Sequence, residues 1–386
     1  MAPSAMAAPF ALGLGSVGCS FVMKMERGQR IALLTSGGDA PGMNAALRGA
    51  ARVAVDLGLE VLGIEEGYVG LIEGRVAPLD LRALDEASRR GGTLLGTARS
   101  KLFPQPEGQA RARETLAKHD IAALLVIGGN GSLTGARTLA DVKTKAGAPL
   151  LVGGVPASID NDLAYSSMSV GVDTAMNTIV EACDRIFDTA TAHRRTFLVE
   201  VMGRDSGYLA MTAAIAAGAD AVVVREMGKD EEGIVDYVVK TMERAYLGHS
   251  LKKRVLVIKA ENVKLDIATL KDRVEERVKG TLPDVDTRVT VLGHVVRGGT
   301  PTAFDRLLGA RLANAAVRGL FEGRTDFMAG WIGPGVTGTP TPYDPYVVLT
   351  PLTEVLAETD RMMRGESALA QWRKRVYQEV ESILNR

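Results

Sequence analysis

Pro156-Ala157-Ser158-Ile159-Asp160-Asn161-Asp162 is the stretch from which the rest of the chain is best read. An apolar run, Pro149 to Val152, precedes it and ends in Gly153-Gly154. A buried strand running out into a loop at that glycine pair is therefore expected. Open α/β sheets place their ligand sites in the loops at the carboxyl ends of such strands. Asp160 and Asp162 stand two apart, beside the hydroxyl of Ser158 and the amide of Asn161. In extended chain, side chains two apart point the same way. Such a pair of carboxylates suits a general base next to a second anion that orients it or helps hold a metal. Alone, the same residues also read as an Asx-rich turn.

The segments upstream favour the first reading. Ile31 to Leu34 predicts a strand, Thr35-Ser-Gly-Gly-Asp-Ala-Pro-Gly-Met-Asn44 a turn, and Ala45 to Val55 a helix. A Gly-rich turn between strand and helix cradles phosphate, because free backbone N–H groups and the positive helix end both face it. It is neither G-x-G-x-x-G nor a Walker A loop. Ile121 to Ile127 predicts a second such strand, followed by Gly128-Gly129-Asn130-Gly131-Ser132 and a helix from Leu133. Between them, Gly91-Gly-Thr-Leu-Leu-Gly-Thr-Ala-Arg99-Ser100-Lys101 is a Gly-rich loop ending in cations. Three such loops on alternating β and α segments imply an α/β fold with a mostly parallel sheet and sites along one edge.

Downstream the pattern repeats. A helix over Asp173–Thr191 closes on His193-Arg194-Arg195. Strands then end at Met202-Gly203-Arg204, at Arg225-Glu226, at Glu261-Asn262, and at Gly293-His294 with Arg297 beyond. Any one of these charged residues is a surface residue by default. Together they imply a cationic, phosphate-binding cleft. The tail, Glu366 to Arg386, mixes charged and apolar residues at helical spacing and reads as a docked surface helix.

Composition narrows the function classes. The chain has 386 residues, with 46% hydrophobic and 24% charged, enough for two domains with real cores. Its 46 basic and 46 acidic residues cancel, which argues against a general nucleic-acid or membrane-surface binder. Two cysteines, Cys19 and Cys183, make no disulfide framework and fit a reducing compartment. Residues 1–29 read as a disordered extension or an upstream mis-start, with Met23 or Met25 as an alternative start. Ala5 to Met23 lacks the basic residues that open a secretory signal and is too rich in glycine for a spanning helix.

Five motifs in order carry a resemblance over about Ile31 to Gly333. They are Leu-Thr-Ser-Gly-Gly-Asp-Ala-Pro-Gly-Met-Asn, Gly-Gly-Thr-Leu-Leu-Gly-Thr-Ala-Arg, Ser-Ile-Asp-Asn-Asp, Val-Glu-Val-Met-Gly-Arg and Val-Leu-Gly-His-Val-Val-Arg-Gly-Gly. The chain resembles the 6-phosphofructokinase family, bacterial ATP-dependent type. The resemblance implies a phosphofructokinase-like fold of two three-layer α/β/α domains. Residues 30–170 with about 296–345 would bind nucleotide, and 171–295 with about 346–386 would bind sugar phosphate. It further implies phosphorylation of fructose 6-phosphate by Mg²⁺-ATP in a cytoplasmic, allosteric homotetramer.

The same resemblance implies roles. Asp160 is the base toward the sugar 1-hydroxyl, Asp162 its partner near the metal, and Ser158 stands where the family usually has Thr at the transferring phosphoryl. Arg99 and Arg204 stabilise charge on that group. Ser158, Asp160, Arg195, Met202, Gly203, Arg204, Glu226, Arg288, His294 and Arg297 contact the sugar phosphate, with Arg195 and Arg288 supplied by a neighbouring subunit. Gly37, Gly38, Arg99, Ser100, Gly129, Asn130, Gly131 and Ser132 form the nucleotide site. Asn130 departs from the family, which has a metal-serving Asp there, and a neutral amide is the poorer Mg²⁺ ligand. Pyrophosphate-dependent members usually carry Asp and Lys where this chain has Gly131 and Ala157, which favours ATP; a low-activity, sugar-phosphate-binding regulatory paralogue is the other alternative. Arg48, Arg52, Arg75 and Lys252-Lys253 match cations of the family's effector site, but Phe187 stands where an Arg is common.

Overall fold

The computed structural model describes residues 20–21, 23–145, 147–204, 206–248, 254–332 and 340–384. Its strands are, in chain order, β1 (Ser20–Phe21), β2 (Arg30–Ser36), β3 (Glu60–Ile64), β4 (Val76–Pro78), β5 (Ile121–Gly128), β6 (Leu151–Pro156), β7 (Arg195–Val201), β8 (Ala221–Val223), β9 (Val255–Ala260), β10 (Asp286–Val291), β11 (Arg324–Thr325), β12 (Phe327–Trp331), β13 (Pro340–Thr341) and β14 (Asp344–Pro351). They form an eight-stranded sheet, ordered β13-β14-β12-β6-β5-β2-β3-β4, a four-stranded sheet, ordered β10-β7-β9-β8, and the short pair β1-β11. The small sheet is parallel throughout. The large one is parallel from β12 to β3, with antiparallel strands at its edges.

Both faces of the large sheet are covered, which is why its central strands are continuous apolar runs. On β2, Ile31 and Leu33 join one core cluster while Ala32 and Leu34 join the other, and all four are fully buried. Truncating a buried Leu of this kind to Ala costs about 2–5 kcal/mol. The helix Met43–Asp56 packs on one face against Ala303–Phe321, and Val172–His193 carries the chain across to the small sheet.

Several boundaries differ from the sequence reading, each for a physical reason. Gly153 and Gly154 do not open a loop. They lie inside β6, where a Cβ on Gly153 would stand 3.2 Å from the Phe327 ring and one on Gly154 2.6 Å from Leu133. Close packing on both faces, not turn conformation, requires glycine there. The helix after β5 begins at Asn130 rather than Leu133, so Asn130, Gly131 and Ser132 form its first turn behind Gly129. The strand Asp344–Pro351 completes the large sheet, so residues 346–351 belong there and not with the second unit. The early segment joins the body before residue 30: β1 pairs with β11, and buried Met25 donates its N–H to the Phe321 carbonyl. Cys19 and the rest of residues 1–19, together with Lys252 and Lys253, lie outside the described residues. No helix among the described residues is long and apolar enough to cross a membrane.

Candidate active site

The strand order decides what can meet. β2, β5 and β6 are parallel neighbours, so the segments after Ser36, Gly128 and Pro156 leave the sheet side by side. Gly37 has φ +89°, a conformation that favours glycine, and a Cβ there would lie 3.1 Å from Ser132 Oγ. Gly129 faces Ser158, whose Cβ stands 3.7 Å from the Cβ position of that glycine. Thr97 Oγ1 donates to the Gly37 carbonyl at 2.7 Å, which ties the Gly91–Lys101 loop to the same edge. The predicted cradle residues Gly37, Gly38, Gly129, Asn130, Gly131 and Ser132 therefore meet the Ser158–Asp162 loop. Ser100 has a structural task, since its Oγ accepts the Phe103 N–H at 3.0 Å. Arg99 is exposed on that loop.

Within the Ser158–Asp162 loop the backbone reverses at Asn161, which has φ +48°. Asn161 is buried and locked: its Nδ2 donates to the Ser167 carbonyl and its Oδ1 accepts the Ser169 N–H. The two carboxylates that flank it differ. Ser158 Oγ donates to Asp162 Oδ1 at 2.7 Å. Asp160 Oδ1 is buried and accepts no hydrogen bond from the protein. Burial pushes the Asp160 carboxyl up to about 6; Asp162 and Glu261 push the same way, and Arg297 and Arg204 oppose them. Asn130 Oδ1 is likewise buried without a donor. Buried polar atoms are usually satisfied, so these two unclaimed oxygens, on neighbouring loops beside the Gly-rich turns, are open to a ligand.

The small sheet brings its strand ends to this edge. Arg204 and Glu261, which follow β7 and β9, both act electrostatically on Asp160. Glu261 was not among the predicted site residues; its place just past a buried strand was the available signal. The buried Lys259 donates to Glu200 Oε2 at 2.7 Å and so pins β9 to β7. Met202 and Gly203 are buried at the end of β7. Arg297 ends the turn Gly293–Arg297 that also presents the exposed His294. Arg297 donates to the Asp39 carbonyl at 3.1 Å, and a Cβ on Gly38 would stand 2.7 Å from its Nη1. It thus faces the cradle as well as Asp160.

Two other groups hold further predicted site residues. Glu226 Oε1 accepts the Gly207 N–H at 2.8 Å, and its buried Oε2 has no donor. It lines a cavity of about 330 Å³ with Asp162, Ser206 and residues of the C-terminal segment. Arg195 and Arg288 both pair with Asp286 Oδ2, at 3.0 and 2.8 Å. Arg195 opens β7 while Met202 follows its end, so the two lie about 20 Å apart at 3.3 Å per residue. Within one chain these arginines do not reach the residues at the carboxyl end.

With this geometry in place, similarity to known proteins is informative. The phosphofructokinase family model matches residues 30–320. The chain belongs to the phosphofructokinase family. An ATP-dependent 6-phosphofructokinase of Listeria welshimeri is 45% identical over 302 residues, covering 78% of this chain and 89% of that protein. The phosphofructokinase of Saccharomyces cerevisiae superposes with a TM-score of 0.78 at 32% identity over 90% of this chain; the match spans 48% of the yeast chain, about half its length. A pyrophosphate-dependent phosphofructokinase from Marinobacter aquaeolei shares the fold, with a TM-score of 0.71 at 20% identity over 85% of this chain and 83% of its own.

Proposed function

We infer that the protein transfers the terminal phosphoryl group of ATP to the 1-hydroxyl of fructose 6-phosphate, forming fructose 1,6-bisphosphate. The observation that carries this reading is Asp160: half-buried, with a buried and unclaimed Oδ1, in the field of Arg204, Glu261 and Arg297, in a chain of this family. A carboxylate raised to about 6 is mostly ionised at pH 7 yet more basic than an exposed one. It is matched to taking the hydroxyl proton as the new O–P bond forms and the bond to ADP breaks. Asp162, held by Ser158, keeps a second anion beside it and orients the loop. Arg204 and Arg99 stabilise the charge on the transferring group. The cradle from Gly37 to Gly38 and Gly129 to Ser132 receives the nucleotide phosphates on free N–H groups.

The donor set fits Mg²⁺. Asn130 Oδ1 is a buried, unclaimed hard oxygen, and Asp162 supplies a carboxylate. Among the described residues no three His, Cys, Asp or Glu side chains cluster as ligands, so substrate phosphates would complete the shell. Bound there, the ion would neutralise phosphate charge. Asn130 and Asp162 would fix where it sits.

The domain division follows: the eight-stranded unit takes the nucleotide and the four-stranded unit the sugar phosphate, through Met202, Gly203, Arg204, His294 and Arg297. Arg195 opens β7 and Arg288 lies in register with Phe197, both short of the carboxyl end where their own chain's site lies, which supports a homotetramer that shares sugar sites between subunits. Buried, free Cys183 agrees with a reducing, cytoplasmic setting. Glu226, with its unclaimed Oε2 in a cavity it shares with Asp162, fits the sugar role too. A coupled assay with fructose 6-phosphate and either ATP or pyrophosphate tests the reading. Turnover with ATP alone is expected. Turnover only with pyrophosphate would reassign the donor, and sugar-phosphate binding without turnover would make the chain a regulatory paralogue.

A further inference from the structure

The C-terminal helix Ala368–Leu384 was expected to be a docked surface helix and no more, and most of its charged side chains are indeed exposed. Arg373 is the exception. It is 7% exposed, while its neighbours Trp372 and Lys374 face solvent. Its Nη2 donates to the Asn161 carbonyl at 2.7 Å, and its Nη1 donates to Ser206 Oγ at 3.1 Å. Its guanidinium lies 5.1 Å from the centre of the Tyr208 ring. Asn161 is the residue between Asp160 and Asp162. Ser206 lies two beyond Arg204. One planar fork therefore spans the loop that follows β6 in the large sheet and the loop that follows β7 in the small one.

A buried guanidinium is costly, and burial lowers the pKa of this one; nearby Tyr208, Glu226 and Asp162 oppose that shift. Packing alone does not call for it, because an apolar side chain of the same volume stabilises a buried position at least as well. What Arg supplies and a hydrocarbon does not is a rigid bidentate link. The other bonds that fix Asn161 come from within its own loop, at Ser167 and Ser169. The bond from Arg373 ties that loop to the other domain.

We propose that Arg373 is a positioning residue: it sets Asp160 and Arg204 at the mutual distance that phosphoryl transfer needs, and so couples the C-terminal helix, beyond the matched residues 30–320, to the reaction. The inference rests on the kinase reading above. Misplacing reacting groups by 1 Å costs about 10²-fold in rate. The loss should fall on kcat, since neither contact of Arg373 is to a predicted ligand-binding side chain.

The test compares full-length parent, Arg373→Met and Arg373→Lys. Arg373→Met should lower kcat about 10–100-fold, with KM for ATP within about twofold and the melting temperature little changed. Arg373→Lys, which keeps a donor but loses the fork, should fall between. Millimolar guanidinium added to Arg373→Met should restore part of kcat. Hydrogen exchange, read without substrate, should show residues 158–163 and 203–207 losing protection together. Parent kcat in either variant would overturn the proposal, as would a loss that guanidinium does not restore and that comes with unfolding. If the parent itself turns over nothing, the kinase reading fails; hydrogen exchange then decides on the link alone, and unchanged protection in both loops would overturn it.

Discussion

Two charged regions of this chain look alike in sequence and differ in the structure. Around Asp160 the buried polar atoms Asp160 Oδ1 and Asn130 Oδ1 have no hydrogen-bond partner among the described residues. Among the described residues, the cations that match a family effector site each hold a carboxylate partner. Arg48 and Arg52 both pair with Asp85, and Arg75 pairs with Glu66 and Glu73. Phe187 packs under Arg254, whose guanidinium is 4.1 Å from the ring centre. A buried group left unsatisfied is a cost that a ligand can remove; a cation already matched by a carboxylate gains little from one. The difference is one of chemistry: unclaimed oxygens of an acid and an amide at one place, and at the other cations that already hold carboxylates, although Arg75 Nε there also lacks a partner.

The largest effect expected is at Asp160. Replacing it by Asn should lower kcat about 10²–10⁴-fold with little change in sugar binding. The same variant should be more stable. With its pKa raised from 3.8 to about 6, the folded state holds the proton more tightly than the unfolded one. That contribution is full below pH 4 and is lost as pH rises through 6, so at pH 7 the ionised carboxylate destabilises the fold by at most about 3 kcal/mol. Activity should run the other way and fall as pH drops below about 6. A variant with parent kcat, or a lower melting temperature at pH 7, would remove Asp160 from the centre of the comparison.

Next in size are Arg195 and Arg288. Each should make a charge-assisted contact to the sugar 6-phosphate worth about 1.5–3 kcal/mol, so replacement by Ala should raise KM for the sugar about 10–100-fold with kcat less affected. If the contacts come from a neighbouring subunit, mixing Asp160→Asn chains with Arg288→Ala chains should restore turnover at low sugar concentration, where neither variant alone is active. No restoration, together with an unchanged KM, would place the phosphate elsewhere.

A smaller effect is expected from Asn130→Asp. A carboxylate in place of the unclaimed amide oxygen should lower the Mg²⁺ needed for half-maximal rate several-fold and raise kcat. If a Mg²⁺ titration shows neither, the pocket is fitted to the amide and the orphaned oxygen serves another ligand.

Much of this was legible in the sequence because it is local. Continuous apolar runs such as Ile121–Ile127 announced buried parallel strands, and the loops after them announced the site edge. What was not legible depends on packing between distant segments. Gly153-Gly154 read as a turn because glycine is ambiguous until the side chains of Phe327 and Leu133 are seen pressing on it. Asn130 read as loop because the helix there starts on Gly129, which offers no side-chain cap. Arg373 is one of several cations in a charged helix, and only the tertiary fold turns it inward onto Asn161. Glu226 and Glu261 both end strands; only the structure shows that Glu261 acts on Asp160 while Glu226 shares a cavity with Asp162.

The smallest effect is expected at the matched cations, and it tests the other half of the comparison. Exposed ion pairs are individually weak, about 0–1 kcal/mol, so their strength alone would not keep out a phosphorylated effector. The net charge does more. Arg48, Arg52 and Arg75 are matched by Asp85, Glu66 and Glu73, three against three, so these described residues together present little net positive charge to an anion. Phe187 adds no cation, and its stacking with Arg254 directs that guanidinium at a ring. ADP and phosphoenolpyruvate should therefore shift the sugar concentration for half-maximal rate by less than about twofold, since the matched pairs among the described residues offer either anion little differential charge. Asp85→Asn frees Arg48 and Arg52 and should make the enzyme more sensitive to both anions, most clearly at low salt, where screening is least. Strongly sigmoidal parent kinetics reversed by ADP would show that the carboxylates yield to a ligand after all, and the two regions would then differ in affinity rather than in kind.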